Sequence, residues 1–176
     1  ITTNIIGTQN VLEAARKHKV NRFLFASTIY VYSELGSFYR VSKQACEKII
    51  EEYQIRVGFP YTIIRYGSVY GERADERNGM YQIIRQALEN RVVVHRGDGE
   101  SVREYIHAAD AAKLSVDVIS DRQYENNHII LTGTERLKRI ELLTMINEIM
   151  HNKLKIKQTS GSNTGHYKIT PYSYDP

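Results

Sequence analysis

Apolar residues recur along the chain in two alternating rhythms. From Asn4 to Lys17 the rhythm is helical, with Ile5, Val11, Leu12 and Ala15 on one broad face. Arg22–Ser27 is a short apolar run closing on small polar residues, which predicts a buried strand. A loop with Gly36 leads to a second helix, from Tyr39 to Tyr53. Val41, Ala45, Ile49 and Ile50 line one face of it, and Gly58 and Pro60 stop it. Tyr61–Tyr66 predicts a second buried strand, closed by Gly67 and Gly71. Beyond it, Met80–Leu88 reads as helix, Val92–Val94 as strand, Gly97-Asp98-Gly99 as turn and Glu104–His107 as strand. Ala108–Ile119 reads as helix, and His128–Leu131 as a strand ended by Gly133. Leu137–Met150 reads as helix with Ile140, Leu143, Ile146 and Ile149 in phase, and Ser160–Gly165 as loop.

Helices alternating with short apolar strands predict an α/β fold with a largely parallel sheet. Ligands of such sheets bind beyond the carboxyl ends of the strands. Ser27, Thr28, Gly67, Ser68 and Gly133 occupy those places.

Composition narrows the function classes. With 41% hydrophobic and 25% charged residues the chain reads as globular. No apolar run is long enough for a membrane span, and no basic stretch followed by an apolar one opens the sequence. One cysteine, Cys46, excludes an intramolecular disulfide and suits a reducing, cytoplasmic setting. The net charge of +4 is spread among acids without a basic cluster, which argues against nucleic acid as a partner. The six histidines show no metal-ligand spacing, so no metal site is expected. The chain opens on Ile1, inside a helical pattern, and closes at Pro176 as abruptly, so it reads as a piece of a longer protein.

The helix at Tyr39 begins Tyr39-Arg40-Val41-Ser42-Lys43. Residues four apart share a helix face, which sets a phenol beside an ammonium. A nearby cation favours the phenolate, so such a pair can move a proton to or from a hydroxyl or carbonyl. With 13 Tyr in the chain the spacing alone is within reach of chance, and a solvated helix face explains it equally well. Ser27 and Thr28, ending the strand before that helix, could hydrogen-bond a substrate oxygen or cap a local turn.

Taken together the segments resemble the extended short-chain dehydrogenase/reductase family, which includes the nicotinamide-dependent nucleotide-sugar epimerases and dehydratases. Asn4-Ile5-Ile6-Gly7-Thr8-Gln9-Asn10-Val11 is similar to its helix before the central strand. Phe25-Ala26-Ser27-Thr28 is similar to its Ser/Thr segment, and Tyr39 to Lys43 to its Tyr-x-x-x-Lys. Arg65-Tyr66-Gly67-Ser68-Val69-Tyr70-Gly71 fits the stretch between, and Gly97-Asp98-Gly99 with Val102-Arg103-Glu104-Tyr105-Ile106-His107 resembles its substrate-phosphate segment.

The resemblance implies an NAD(P)-binding, Rossmann-like doubly wound parallel sheet, here partial, with a small C-terminal substrate-binding α+β region. Residues 1–74 would be the C-terminal part of the dinucleotide-binding domain and 75–107 a substrate-binding segment. Residues 108–135 would return to the sheet, and 136–176 would complete the substrate region. It implies Tyr39 as catalytic acid/base, Lys43 as its partner on the cofactor ribose, and Thr28 as the catalytic hydroxyl. Asn4, Ser27, Tyr39, Lys43, Tyr66 and Gly67 would contact NAD or NADP. Thr28, Ser68 and Arg103 would contact the nucleotide sugar, with Arg103 on its diphosphate. A homodimer built on the Asn4–His18 and Tyr39–Tyr53 helices is implied as well.

Three departures from the family pattern sharpen these expectations. No Gly-rich dinucleotide loop occurs in the 176 residues, so this stretch by itself should bind the cofactor weakly. Ile29 and Tyr30 stand where dehydratases carry an Asp-Glu pair and decarboxylases a Glu, which disfavours both reactions. Ser68 replaces an Asn that contacts substrate in the family. An epimerase is the first expectation, a carbonyl reductase on the same fold the second, and a non-catalytic dinucleotide sensor the third.

Overall fold

The computed structural model describes residues 2–161 and 166–172, so most of the loop expected over Ser160–Gly165 lies outside the described residues. A π-type turn over Thr2–Ile6 leads into α1 (Gly7–Lys17) and β1 (Phe23–Thr28). A 3-10 turn over Ile29–Tyr32 precedes α2 (Ser37–Val57), β2 (Tyr61–Tyr66), β3 (Ser68–Tyr70) and α3 (Gly79–Asn90). Then come β4 (Val92–Arg96), β5 (Val102–His107), α4 (Ala108–Ser120) and β6 (Asn127–Leu131). The last elements are β7 (Arg136–Lys138), α5 (Arg139–Ile149) and β8 (Lys155–Thr159).

The chain divides into two units. The first comprises Ile1–Gly67 and Asp110–Leu131. Its sheet has the order β1-β2-β6, and both pairings are parallel. Side chains alternate across a strand, so neighbours on β2 serve opposite faces. Ile63 packs with Leu12 of α1 and Cys46 and Ile50 of α2. Ile64 packs with Val118 of α4 and Leu131 of β6. Helices therefore cover both faces, the doubly wound arrangement the alternation predicted.

The phase of the helices differs from the expectation at three places. Val11 is 57% exposed although Leu12, Ile5 and Ala15 do face the core. Val41 is also exposed, and the buried line of α2 runs through Ser42, Cys46, Glu47 and Ile50. A short polar side chain fits where the helix meets the strand ends, and burial follows the position of the sheet, not the local apolar count. On α5, Ile149 is 70% exposed while Leu142 and Leu143 are buried.

The second unit comprises Ser68–Ala109 and Thr132–Pro176. In it β5 pairs in parallel with β3 and antiparallel with β7, while β4 pairs in parallel with β8. Ile83 and Ala87 of α3, Val93 of β4 and Leu142 and Leu143 of α5 form its core. The compact units divide after Gly67, Ala109 and Leu131, with β3 and β7 in the second unit. Those two strands are three residues each, and β8 is largely exposed, so none carries an apolar run to announce it. Among the described residues no helix is long and apolar enough to cross a membrane, and no His, Cys, Asp and Glu cluster could hold a metal ion.

Candidate active site

β1 ends on Thr28, which is buried and caps the following 3-10 turn: its Oγ1 accepts from the Tyr30 N–H at 3.3 Å. The turn-cap reading of this hydroxyl is therefore correct as local structure, and the bond uses only part of its hydrogen-bonding capacity. The turn swings the Tyr30 ring edge-on to the Tyr39 ring, with centroids 6.4 Å apart. Gly36 makes the approach feasible. Its φ is +102°, and a Cβ there would stand 2.9 Å from the Tyr30 ring. The α2 helix begins at the next residue and delivers Tyr39 in its first turn, with the side chain half-exposed.

One turn on, Lys43 is half-buried. Its Nζ donates to the Ala26 carbonyl of β1 at 2.8 Å and lies 4.7 Å from the centre of the Phe25 ring. Burial lowers its pKa below the ordinary lysine value, with Glu47 among the groups opposing that shift. An ammonium has three N–H donors, and the bond to Ala26 takes one of them.

Asn4 and Ser27 each make a hydrogen bond within the protein. Asn4 Nδ2 donates to Ser42 Oγ at 2.8 Å, and Ser42 Oγ donates to the Tyr39 carbonyl at 2.9 Å. Cys46 donates to the Asn4 carbonyl at 3.2 Å, so Asn4 fastens the first turn of the chain to α2. Ser27 Oγ donates to Glu47, which is itself buried on α2. That bond uses the Ser27 O–H, and its oxygen keeps acceptor capacity. Tyr66 bonds Ser115 through its hydroxyl at 2.6 Å, and the Gly67 N–H donates to the Leu131 carbonyl at 2.9 Å.

Ser68 and Arg103 belong to the second unit. Ser68 opens β3 in register with Tyr105. Arg103 lines a groove of about 370 Å³ with Arg96, Gly97, Asp98, Tyr167 and Lys168 among its walls. Its guanidinium lies 4.1 Å from the centre of the Tyr167 ring, and its Nη1 donates to the Val102 carbonyl at 2.6 Å. Lys168 pairs with Asp98 at 2.6 Å, and that pair holds the Asp98 carboxyl below its usual range. The surplus of cations suits an anionic ligand. His107 closes β5 as expected and accepts from the Ala109 N–H at 3.3 Å.

Sequence reasoning missed Glu47, Arg65 and Tyr32. Arg65 donates to Glu47 through Nε and Nη2 and to the Tyr32 hydroxyl through Nη1. The available signal was a glutamate four residues after Lys43, in phase with buried Cys46 and Ile50.

A buried strand-end hydroxyl, a half-exposed phenol and a half-buried ammonium are thus gathered on β1 and the first turns of α2 in an α/β fold. The chain belongs to the NAD dependent epimerase/dehydratase family, whose model matches residues 1–133. It is 29% identical over 162 residues to an uncharacterized UDP-glucose epimerase, YtcB, of Bacillus subtilis, covering 85% of this chain and 51% of that one. It is 31% identical over 180 residues to a UDP-N-acetyl-alpha-D-glucosaminuronate decarboxylase of Bacillus cytotoxicus, covering 89% and 54%. It superposes with a TM-score of 0.85 and 26% identity on the UDP-glucuronic acid 4-epimerase of Bacillus cereus, solved with UDP-glucuronic acid and NAD, over 96% of this chain and 58% of that one. The chain spans about half the length of the curated relatives it matches.

The family implies a nicotinamide dinucleotide, and the residues here fit one end of it. The remaining N–H donors of Lys43 and the half-exposed Tyr39 suit the hydroxyls of a ribose beside a nicotinamide ring. The residues that would cradle the pyrophosphate are not among these 176.

Proposed function

We propose that the full-length protein carrying these residues is an NAD(P)-dependent nucleotide-sugar epimerase. The observation that carries the reading is the set on β1 and α2. Tyr39 is half-exposed, Lys43 is fixed one turn along, and Thr28 is tied to Tyr39 through Tyr30. The likeness to UDP-sugar 4-epimerases supports it.

A bound NAD(P) supplies the hydride acceptor and donor. Tyr39 takes the proton of the sugar hydroxyl as the carbon is oxidised, and Thr28 hydrogen-bonds the same oxygen. Lys43 keeps a positive charge beside the phenolate so formed and holds the ribose. The keto sugar then presents its other face, and Tyr39 returns the proton as the carbon is reduced, which inverts the centre. Arg103 holds the nucleotide diphosphate through its planar fork, and Ser68 touches the sugar. Asn4, Ser27, Tyr66 and Gly67 support the cofactor side. Residues 1–74 and 108–135 serve the dinucleotide, and 75–107 and 136–176 the substrate.

At the two positions after Thr28, Ile29 is buried and Tyr30 lies against Tyr39, and neither side chain is a carboxylate. That disfavours water elimination and decarboxylation. Cys46 is a free, buried thiol, which supports a reducing, cytoplasmic setting. Exposed Val11 on α1 and Val41 on α2 support a homodimer through these helices.

The test is purified full-length protein with UDP-glucose, UDP-glucuronate and UDP-N-acetylglucosamine, products being read by NMR. The expected result is interconversion of one substrate with its 4-epimer without net cofactor consumption. Tyr39→Phe should abolish turnover and keep cofactor binding. Stoichiometric loss of reduced cofactor would mean a carbonyl reductase, and binding without turnover a sensor.

A further inference from the structure

The buried face of α2 carries a second charged group, one turn beyond Lys43. Glu47 is 3% exposed, and both its oxygens are used. Oε1 accepts from Ser27 Oγ and from Arg65 Nε at 3.1 Å, and Oε2 accepts from Arg65 Nη2 at 2.7 Å. Ser27 and Arg65 are register partners on the adjacent strands β1 and β2. One carboxylate thus ties the helix to two strands at a single rung of the sheet, and the next rung on β1 is Thr28. Arg65 uses its last edge on the Tyr32 hydroxyl at 2.6 Å, and its guanidinium stacks 4.7 Å from that ring. Tyr32 ends the 3-10 turn that begins after Thr28. The bonds Ser27–Glu47–Arg65–Tyr32 therefore enclose the segment from Thr28 to Val31.

We propose that Glu47 and Arg65 are positioning residues for the proton-transfer site. Together they set how far along the strand ends α2 sits, and so the separation of Tyr39 from Thr28. The proposal rests on the reading of Tyr39 and Thr28 given above. A buried ion pair is weak evidence for stability, since apolar replacements of similar volume are often neutral or stabilising. What this pair has that an apolar pair lacks is direction: four hydrogen bonds with defined geometry that join four elements, β1, α2, β2 and the 3-10 turn. A misplacement of about 1 Å in such a site costs up to about a hundredfold in rate.

The test uses the full-length protein with three variants: Glu47→Gln, Arg65→Lys and the double variant Glu47→Leu with Arg65→Met. Two readouts are taken beside the melting temperature. The first is kcat and KM for the sugar nucleotide. The second is the 15N signal of the Lys43 ammonium, which reports its bond to the Ala26 carbonyl without any turnover. The double variant is expected to melt near the wild type and still lose about tenfold or more in kcat. KM should change little, because neither residue touches the nucleotide. The Lys43 ammonium should lose its slow exchange. A double variant that recovers both kcat and the Lys43 signal along with its melting temperature would overturn the proposal and make the pair structural only. If the wild-type protein turns over no sugar nucleotide, the functional reading fails. The Lys43 signal then decides on the clamp alone: lost in a stably folded double variant it supports the clamp, retained it sinks it.

Discussion

The Lys43 ammonium donates to the backbone carbonyl of Ala26 at 2.8 Å, joining the helix that carries Tyr39 to the strand that carries Thr28. The amine is half-buried, and burial lowers its pKa. A lysine whose folded pKa lies below its unfolded value carries a cost while it is charged. That cost is present at neutral pH and is relieved as the pH rises through the lowered value towards 10.5. Lys43→Met is therefore expected to leave the urea midpoint close to the wild type or above it, while turnover falls by a factor of about a hundred or more. A large loss of stability with activity retained would refute this account of the residue.

Gly133 lies against the backbone of Tyr105, and a Cβ there would stand 2.1 Å from its carbonyl oxygen. The neighbour is backbone in β5, which pairs on both sides and cannot give way. Gly133→Ala is expected to destabilise the protein by about 3 kcal/mol or more, read as a shift in the denaturant midpoint. Gly7→Ala serves as the control, since nothing lies within 4 Å of a Cβ there.

The pattern of the chain disclosed the elements that build the first unit, including β2 over Tyr61–Tyr66 to the residue. Buried parallel strands are continuous apolar runs, and runs bounded by Gly and Pro are easy to see. Which side of a helix meets the sheet was harder to read. Val11 and Val41 fit the apolar phase yet stay exposed, and Ser42 and Glu47 are buried in their place. Hydrogen-bonded polar groups can occupy a core, and their partners, Asn4 for Ser42 and Arg65 for Glu47, are remote in sequence. The same remoteness hid the bond of Ser27 to Glu47, twenty residues away.

Glu104 presents a buried carboxylate in the second unit, 1% exposed, between Arg103 and Tyr105 on β5. It accepts from Arg136 Nε at 2.8 Å and from the Tyr172 hydroxyl. Burial, followed by that hydrogen bond, raises the Tyr172 pKa. Arg136→Ala removes the only cation paired with Glu104 among the described residues, leaving an uncompensated buried charge. A loss of about 1–3 kcal/mol is expected in chemical denaturation, since Arg136 is half-exposed and the Tyr172 hydroxyl still donates to Glu104. Glu104→Gln should lose less, since the amide oxygen can still accept. Equal losses in the two variants would argue against the charge as the cause.

His128 on β6 lies between Glu51 and Tyr61. Its Nε2 is 3.1 Å from Glu51, and its ring is edge-on to Tyr61 at 5.8 Å. Its pKa is lowered, by burial first and by Arg65 second, against the opposing pull of Glu47 and Glu51. A histidine whose folded pKa is depressed contributes stability above its unfolded value near 6.5 and loses it as the pH falls through the folded value. The denaturant midpoint should therefore fall below about pH 6.5. His128→Gln should flatten that part of the profile, and an unchanged slope would assign it to other groups, with His166, also lowered by burial, the next to test.

Val11 and Val41 bear on assembly, because at each of them the apolar phase of its helix exceeds what the sheet covers. Leu12, one residue on from Val11, is fully buried, so the helix has an inner face that is satisfied and an outer one that is not. Ile55, four turns along α2 from Val41, is 68% exposed. On the proposed homodimer this surface would face the second copy, and charges placed on it would disperse the pair without touching the core. Val11→Glu with Val41→Glu is expected to halve the mass of the full-length protein by light scattering. Intramolecular packing at these sites is slight, so the thermal midpoint extrapolated to low protein concentration should stay within about 0.5 kcal/mol of the wild type. Leu12→Ala is the contrast: it should cost about 2–5 kcal/mol whatever the oligomeric state, through the cavity it leaves against Cys46 and Ile63. A double glutamate variant that keeps the wild-type mass would remove these helices from consideration as the dimer surface.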